Sequence, residues 1–427
     1  MTDPAPEARG AAAGQDVFAW LPAVLLAGFG PLVYVAPLGA VPGMLVLALG
    51  LAAVAWRAGA FQGRAILRDF ALFLPLFAWM LLSGFWSLDA GATLSLALRL
   101  AGLFLAGTAS LFWLRSLPSE VIGRCLPGLA IGFAASAAVV VLDLPFLHGE
   151  IARHLHKAQG PDYDLALFYG RGATIQSILM VPLTIGLWRS GARGLAVLQA
   201  VLGGLAILLT ASLSAKMALG AGLAVGAAVF VLPILRYALL WLLALLVAAL
   251  PFVLPYQPDA AETCWFAETK GSALHRLYIW NFAAAHIAER PVLGWGLDAS
   301  RRMPGGDERV VAWRCDAEGK PIGAHPRVDG TLMPLHPHNA ILQVWLELGG
   351  IGALIGFATF GLILFRAFAA SGWRSRAAQA GFTAAWFGGM SVALVSFGVW
   401  QEWFLSALFI AAGVAALAAR GRLGPAV

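Results

Sequence analysis

His338 stands where a long polar stretch gives way to an apolar one, in HPHNAILQVWLELGGIG from His336 to Gly352. Asn339, Gln343 and Glu347 follow at helical spacing, so one helix face carries two amides and a carboxylate behind an imidazole. A neutral imidazole accepts a proton near neutral pH. Fixed where a loop enters a membrane span, it suits group transfer from a lipid-linked donor. There a base takes the proton of the attacking hydroxyl, and cations receive the charge that develops on the leaving group.

Three cations are placed to do the second task. Lys216 begins a span after a short polar turn in LTASLSAK, and Arg171 lies at a span end among small residues in YGRGATIQS. Arg276 precedes Trp280 by four residues, so both project from one face of a helix. Each has a plainer reading: snorkelling for Lys216, anchoring for Arg171, stacking on Trp280 for Arg276. His338 could likewise only cap the helix that follows it. Arg99 falls inside a span, where an arginine is costly and has a partner or a function. Glu347 reaches about the same depth at roughly 1.5 Å per residue, so the two are candidates for an ion pair as well as for substrate contact. A metal site built on His336 and His338 lacks further converging ligands and is not expected.

The elements that must position these groups are membrane helices. The chain has 427 residues, of which 60% are hydrophobic and 12% charged, and apolar runs of about 20 residues, the length of a span, recur along it. Twelve candidate spans run over 17–35, 38–56, 70–87, 92–114, 121–142, 167–188, 194–211, 216–233, 236–255, 339–365, 377–398 and 402–419. Arg57, Arg64, Arg68, Arg115, Arg124, Arg189, Arg193, Arg236, Arg366, Arg374, Arg376, Arg420 and Arg422 then fall on one side, which short-loop basic residues mark as cytoplasmic, together with both termini. Scattered among short loops, they give no face for nucleic acid. No apolar leader precedes the first span, so no cleaved signal peptide is expected.

The opposite side receives 84–91, 143–166, the turn at 210–216, the loop 256–337 and a short connection around Trp400 and Gln401. This divides the chain into a nine-span bundle over 1–255, a loop domain over 256–337 and three C-terminal spans over 338–427. Within the loop, 272–290 reads as an amphipathic helix with Leu274, Leu277, Ile279, Trp280 and Ile287 on its apolar face, ended by Pro291. Cys264 and Cys315 share this loop and are expected to pair on an oxidising face, the alternative being two free thiols; Cys125 has no partner.

HPHNAILQVWLELGGIG resembles the histidine–asparagine signature of the O-antigen ligase and polymerase family. SALHRLYIWNFAAAHIAERPVLGWG is similar to that family's Arg-x-x-x-Trp helix with its later Pro and Gly-x-Gly, and LTASLSAKMALGAG to its span-opening segment before the large loop. The resemblance covers about 165–365 in motifs and the whole chain in layout. It implies an all-α, polytopic, GT-C-like membrane protein in the bacterial inner membrane, with its loop domain and active site in the periplasm. It implies an inverting glycosyltransferase that needs no metal or other cofactor. The donor is then an undecaprenyl diphosphate-linked glycan and the acceptor lipid A–core oligosaccharide, with membrane lipids around it and no nucleic acid or obligate protein partner. His338 becomes the base, Arg276, Lys216 and Arg171 the diphosphate clamp, and Asn339, Trp280, Glu347 and Arg99 supporting residues. Lysine stands at 216 where arginine is common, which keeps the charge and loses the bidentate fork.

One dominant loop, with 143–166 short, favours a ligase over a polymerase or a transferase acting on protein hydroxyls. A transporter would instead show broken helices and mid-membrane polar groups, often in repeated halves.

Overall fold

The computed structural model describes residues 6–155, 165–369 and 375–420, and helices occupy each stretch expected to span. The chain runs α1 (Pro6–Val35), α2 (Ala40–Arg57), α3 (Gly63–Phe70), α4 (Leu74–Leu82), α5 (Ala90–Ser116), α6 (Ser119–Phe146), α7 (Glu150–Leu155) and α8 (Leu165–Phe168). It continues as α9 (Gly170–Ser190), α10 (Arg193–Leu209), α11 (Leu213–Val231), α12 (Leu235–Val253) and α13 (Ala260–Glu289). Four short strands follow, β1 (Arg309–Ala312), β2 (Arg314–Cys315), β3 (Pro321–Ile322) and β4 (Val328–Thr331), and then α14 (Ala340–Ala369), α15 (Arg376–Ala393) and α16 (Glu402–Ala419). The protein is an all-α, multi-pass membrane protein.

Among the described residues, nine segments are long and apolar enough to cross a membrane, against the twelve expected. Of the other three, α10 is 17 residues long, while α9 and α15 carry more polar residues. For α9 the reason is position: it packs against α1, α6, α10, α11, α15 and α16. Surrounded by protein, it need not be uniformly apolar. Most of its polar side chains bond internally: Thr174 donates to the Gly170 carbonyl at 2.8 Å, Ser177 to the Thr174 carbonyl at 2.7 Å, and Gln176 accepts from the Tyr34 hydroxyl, its Nε2 being left without a partner.

The arginine-rich connections collect at one end of the bundle. There Arg57 lies over Phe18, Arg124 over Trp20, and Arg115 pairs with Asp69. Arg374 and Arg422 lie outside the described residues. Along their middles, small residues let α11 and α15 approach closely: a Cβ added at Gly222 would sit 2.9 Å from the Ala384 carbonyl oxygen, and one at Gly388 2.9 Å from that of Ala218.

The long loop folds around α13, which is longer than the helix expected over 272–290. It begins with a capping box between Asp259 and Glu262 and kinks at Lys270. β1 pairs antiparallel with β4, Ala312 opposite Val328, and both residues pack with Ala267 and Leu274 of α13. Cys264 and Cys315 are bonded, joining α13 to β2. Closing a loop of this length contributes about 4 kcal/mol by chain entropy.

Two helices depart from the expected spans in ways that build the site. The stretch 377–398 is helical only to Ala393, leaving 394–401 as a connection in which the Val395 and Ser396 carbonyls take side-chain partners. In α14, Gly349 takes φ 66° and ψ −172°, so the helix is interrupted. The freed carbonyls of Leu346, Glu347 and Leu348 accept from Trp295 N (2.9 Å), Gly296 N (2.8 Å) and Trp79 Nε1 (2.9 Å). A broken helix is tolerated at membrane depth when its backbone is satisfied by protein in this way. The interruption therefore serves to dock the Pro291–Gly296 turn.

A Cβ at Gly349 would lie 2.2 Å from the Val292 carbonyl oxygen, in a backbone region open essentially to glycine alone. Gly349→Ala is expected to cost about 1–3 kcal/mol in backbone strain, with the clash added. Thermal unfolding of the detergent-solubilised protein reads this directly, with Gly356→Ala as the control, since a Cβ there meets nothing within 4 Å.

Candidate active site

VSFGVWQEW, from Val395 in the α15–α16 connection to Trp403 in the first turn of α16, touches five of the candidate residues: His338, Arg276, Glu347, Arg99 and Arg171. Arg276 Nε donates to the Val395 carbonyl at 2.7 Å, and His338 Nδ1 bonds the Ser396 carbonyl. Ser214, two residues before Lys216, donates to Ser396 Oγ at 2.8 Å. Gln343 Oε1 accepts from Val399 N at 2.9 Å, and Trp400 Nε1 donates to Glu347 at 2.7 Å. Gln401 meets His336, Glu402 pairs with Arg99, and Arg171 lies over the Trp403 ring at 5.9 Å. This segment gathers residues from α5, α9, α11, α13 and α14 into one site.

His338 is held by its backbone and by one ring nitrogen. Its φ is 55°, in the left-handed region that non-glycine residues seldom enter. Its N–H donates to His336 Nδ1 at 3.1 Å, and the Pro337 carbonyl accepts from Trp280 Nε1 at 2.9 Å. Because the Ser396 carbonyl can only accept, His338 Nδ1 carries the proton, and Nε2 keeps its lone pair. Burial holds the imidazole below the ordinary histidine value, reinforced by Arg276 and His275 and opposed by the bond to Ser396. The ring is therefore neutral, oriented, and open at Nε2. Capping is done by its neighbour: Asn339 Oδ1 accepts from Ile341 N at 3.0 Å and Leu342 N at 3.1 Å.

Among the described residues no carboxylate bridges Arg171, Lys216 or Arg276. Arg276 makes no stack on Trp280: its Nε and Nη1 go to the Val395 and Ser272 carbonyls, and Trp280 goes to Pro337. Arg171 and Lys216 occupy the first turns of α9 and α11, whose N-termini are packed together. Thr174 and Ser212 hydroxyls are 3.3 Å apart, and Ser212 caps α11 by accepting from Ala215 N at 3.2 Å. Two helix N-termini with a cation each form a surface suited to an anion.

Of the two readings of Arg99, the ion pair with Glu347 does not form. Arg99 bonds Glu402 at 2.8 Å and Ser95 at 2.7 Å, and its side chain is 54% exposed rather than buried. A nearer acid on the same outer end of the bundle takes it. Glu347 is fully buried and accepts from four donors: Ser300 Oγ, Gln343 Nε2 (3.0 Å), Asp298 N (2.8 Å) and Trp400 Nε1 (2.7 Å). It ties the loop, α14 and the α15–α16 connection together without a cation.

The sequence reading passed over Val395 and Ser396. They act through carbonyl oxygens, which every residue type carries, so side-chain chemistry holds no signal for them. Gln401 and Trp403 were legible as polar and aromatic residues at a span end, and the density of such residues between two apolar runs was the available clue.

Part of this site is similar to a known family. A family model described as O-antigen ligase matches residues 197–358. Relatives named "putative polysaccharide ligase" occur in Rickettsia conorii (34% identical over 141 residues), Rickettsia prowazekii (31% over 141) and Rickettsia bellii (33% over 142). Each alignment covers 33% of this chain and 31% of the relative, so the match spans about a third of the curated relatives' length. The resemblance read from the motifs is borne out. The family match includes Lys216, Arg276 and His338 and ends before the α15–α16 connection.

Proposed function

We propose that this chain, which matches the O-antigen ligase family over residues 197–358, is a membrane glycosyltransferase. It moves an O-antigen glycan from undecaprenyl diphosphate to a hydroxyl of lipid A–core oligosaccharide. The observation that carries the reading is His338, neutral and fixed through Nδ1 on the Ser396 carbonyl, with Arg276, which no carboxylate pairs among the described residues, near enough to lower its pKa.

In this reading His338 Nε2 takes the proton of the acceptor hydroxyl as its oxygen attacks the anomeric carbon. The bond from that carbon to the diphosphate oxygen breaks on the opposite face, which inverts the centre. Undecaprenyl diphosphate leaves with the electron pair. Arg276, through the Nη2 its carbonyl partners leave over, and Lys216 and Arg171 at the two helix N-termini receive the charge. Diphosphate is a good leaving group once so held, and a general acid is not needed. The polyprenyl tail stays in lipid while the sugars occupy the periplasm, a side that the arginine-rich connections at the other end support.

The test is the glycolipid profile of a null strain. Accumulated long lipid-linked polymer with bare core is expected; core bearing one repeat would make the protein a polymerase. Reporter fusions after Arg376 and near Gly305 are expected to read cytoplasm and periplasm respectively. The same side for both would dismantle the site.

A further inference from the structure

His336 is buried at 6% exposure, and each of its ring nitrogens has one neighbour. His338 N–H lies 3.1 Å from Nδ1, and Gln401 Nε2 lies 3.1 Å from the ring Nε2, two donors on one neutral ring, while Gln401 Oε1 is buried without a partner; turning the Gln401 amide over resolves both. A backbone N–H can only donate, so His336 Nδ1 accepts and Nε2 carries the proton of the neutral ring. That proton requires an acceptor. The two ends of an amide are alike in shape, and the oxygen of Gln401 is the end that can face it.

We propose that His336 and Gln401 are the positioning pair of the site. Gln401 accepts from His336 Nε2, and His336 Nδ1 accepts the His338 backbone N–H and so holds His338 in its left-handed conformation. This rests on the reading of His338 as the base.

Three further observations support the pair. Gln401 is the N-cap residue of α16, yet its side chain makes no cap bond to that helix and turns to His336 instead. The His336 ring is held in place: it lies edge-on to His338 with centroids 4.4 Å apart, and a Cβ at Gly398 would come within 3.0 Å of its Cγ and Cδ2. Burial, with His338, Arg301 and Arg276 nearby, pushes its pKa down to about 3. Nδ1 therefore remains an acceptor throughout the working range, and His336 is a positioning residue rather than a second base.

The test uses full-length protein in lipid nanodiscs with a lipid-linked glycan donor and a lipid A–core acceptor, measuring kcat, KM and donor binding. His336→Phe and Gln401→Leu are expected to lower kcat about 100-fold, the effect of misplacing a reacting group by about 1 Å, with donor KM unchanged. His336→Asn, whose side-chain oxygen stands where Nδ1 does but which cannot reach Gln401, is expected to recover only part of that loss, since it keeps the acceptor for His338 N–H and gives up the bond that holds it. In a His338→Gln background, His336→Phe is expected to remove nothing more, because its effect passes through His338. Normal kcat in His336→Phe would overturn the pair while leaving the base reading intact. An equal loss in His336→Asn and His336→Phe would overturn it too, as would a further loss in the His338→Gln background. Normal transfer by His338→Gln alone would fell the base reading, and the pair with it.

Discussion

His338→Gln is expected to transfer about 100- to 10,000-fold more slowly than the native protein, the contribution of a positioned proton acceptor, while still inserting and binding the lipid-linked donor. Glutamine can hydrogen-bond but cannot take a proton at these pH values. The left-handed backbone at residue 338 adds a second consideration, since a branched or bulky replacement there is strained. His338→Asn separates the two: asparagine enters that region readily and is no more basic than glutamine. Both variants should be equally poor. In the native protein, the pH–rate profile should rise with a midpoint below the ordinary histidine value of about 6.5. The sign follows from burial, Arg276 and His275, all of which disfavour the imidazolium. The base form then persists to lower pH, and activity is lost only as pH falls through that depressed value. Transfer at the native rate by either variant would leave His338 a positioning group; loss of donor binding would move it into the diphosphate clamp.

The chain's layout was legible because lipid imposes it. Apolar runs of span length, closed by arginines at alternate ends, leave few arrangements, and every expected span contains a helix. The misses have a common cause. Sequence patterns report side chains, whereas the site is assembled by backbone. The carbonyls of Val395 and Ser396 orient Arg276 and His338, and the interruption at Gly349 exposes carbonyls that receive the Pro291–Gly296 turn. An apolar LELGGIG reads as continuous helix because the break costs no hydrophobicity. Glu347 shows the limit of depth arithmetic: counting residues put it level with Arg99, but four neutral donors surround it. His338, by contrast, was legible from type alone, an imidazole at a loop-to-helix boundary followed by a capping asparagine.

Arg276→Ala is expected to lower transfer about 100- to 1,000-fold, the scale for removing one preorganised donor from a developing charge. Because Arg276 also joins α13 to the Val395 carbonyl, the same change should cost roughly 1.5–3 kcal/mol of stability for a lost hydrogen bond from a charged group. The two effects are separable. Arg276→Lys keeps a cation and can satisfy one carbonyl, so stability should largely return. Transfer should return only in part, because an ammonium lacks the planar fork that holds one carbonyl while offering a further N–H to phosphate. A third readout ties the arginine to the base. Arg276 is one of the groups that depress the His338 pKa, so in Arg276→Ala the rising limb of the residual activity should move to higher pH. A variant that loses stability and keeps both its rate and its pH profile would show that Arg276 only fastens α13 to the α15–α16 connection, and the diphosphate would then rest on Lys216 and Arg171.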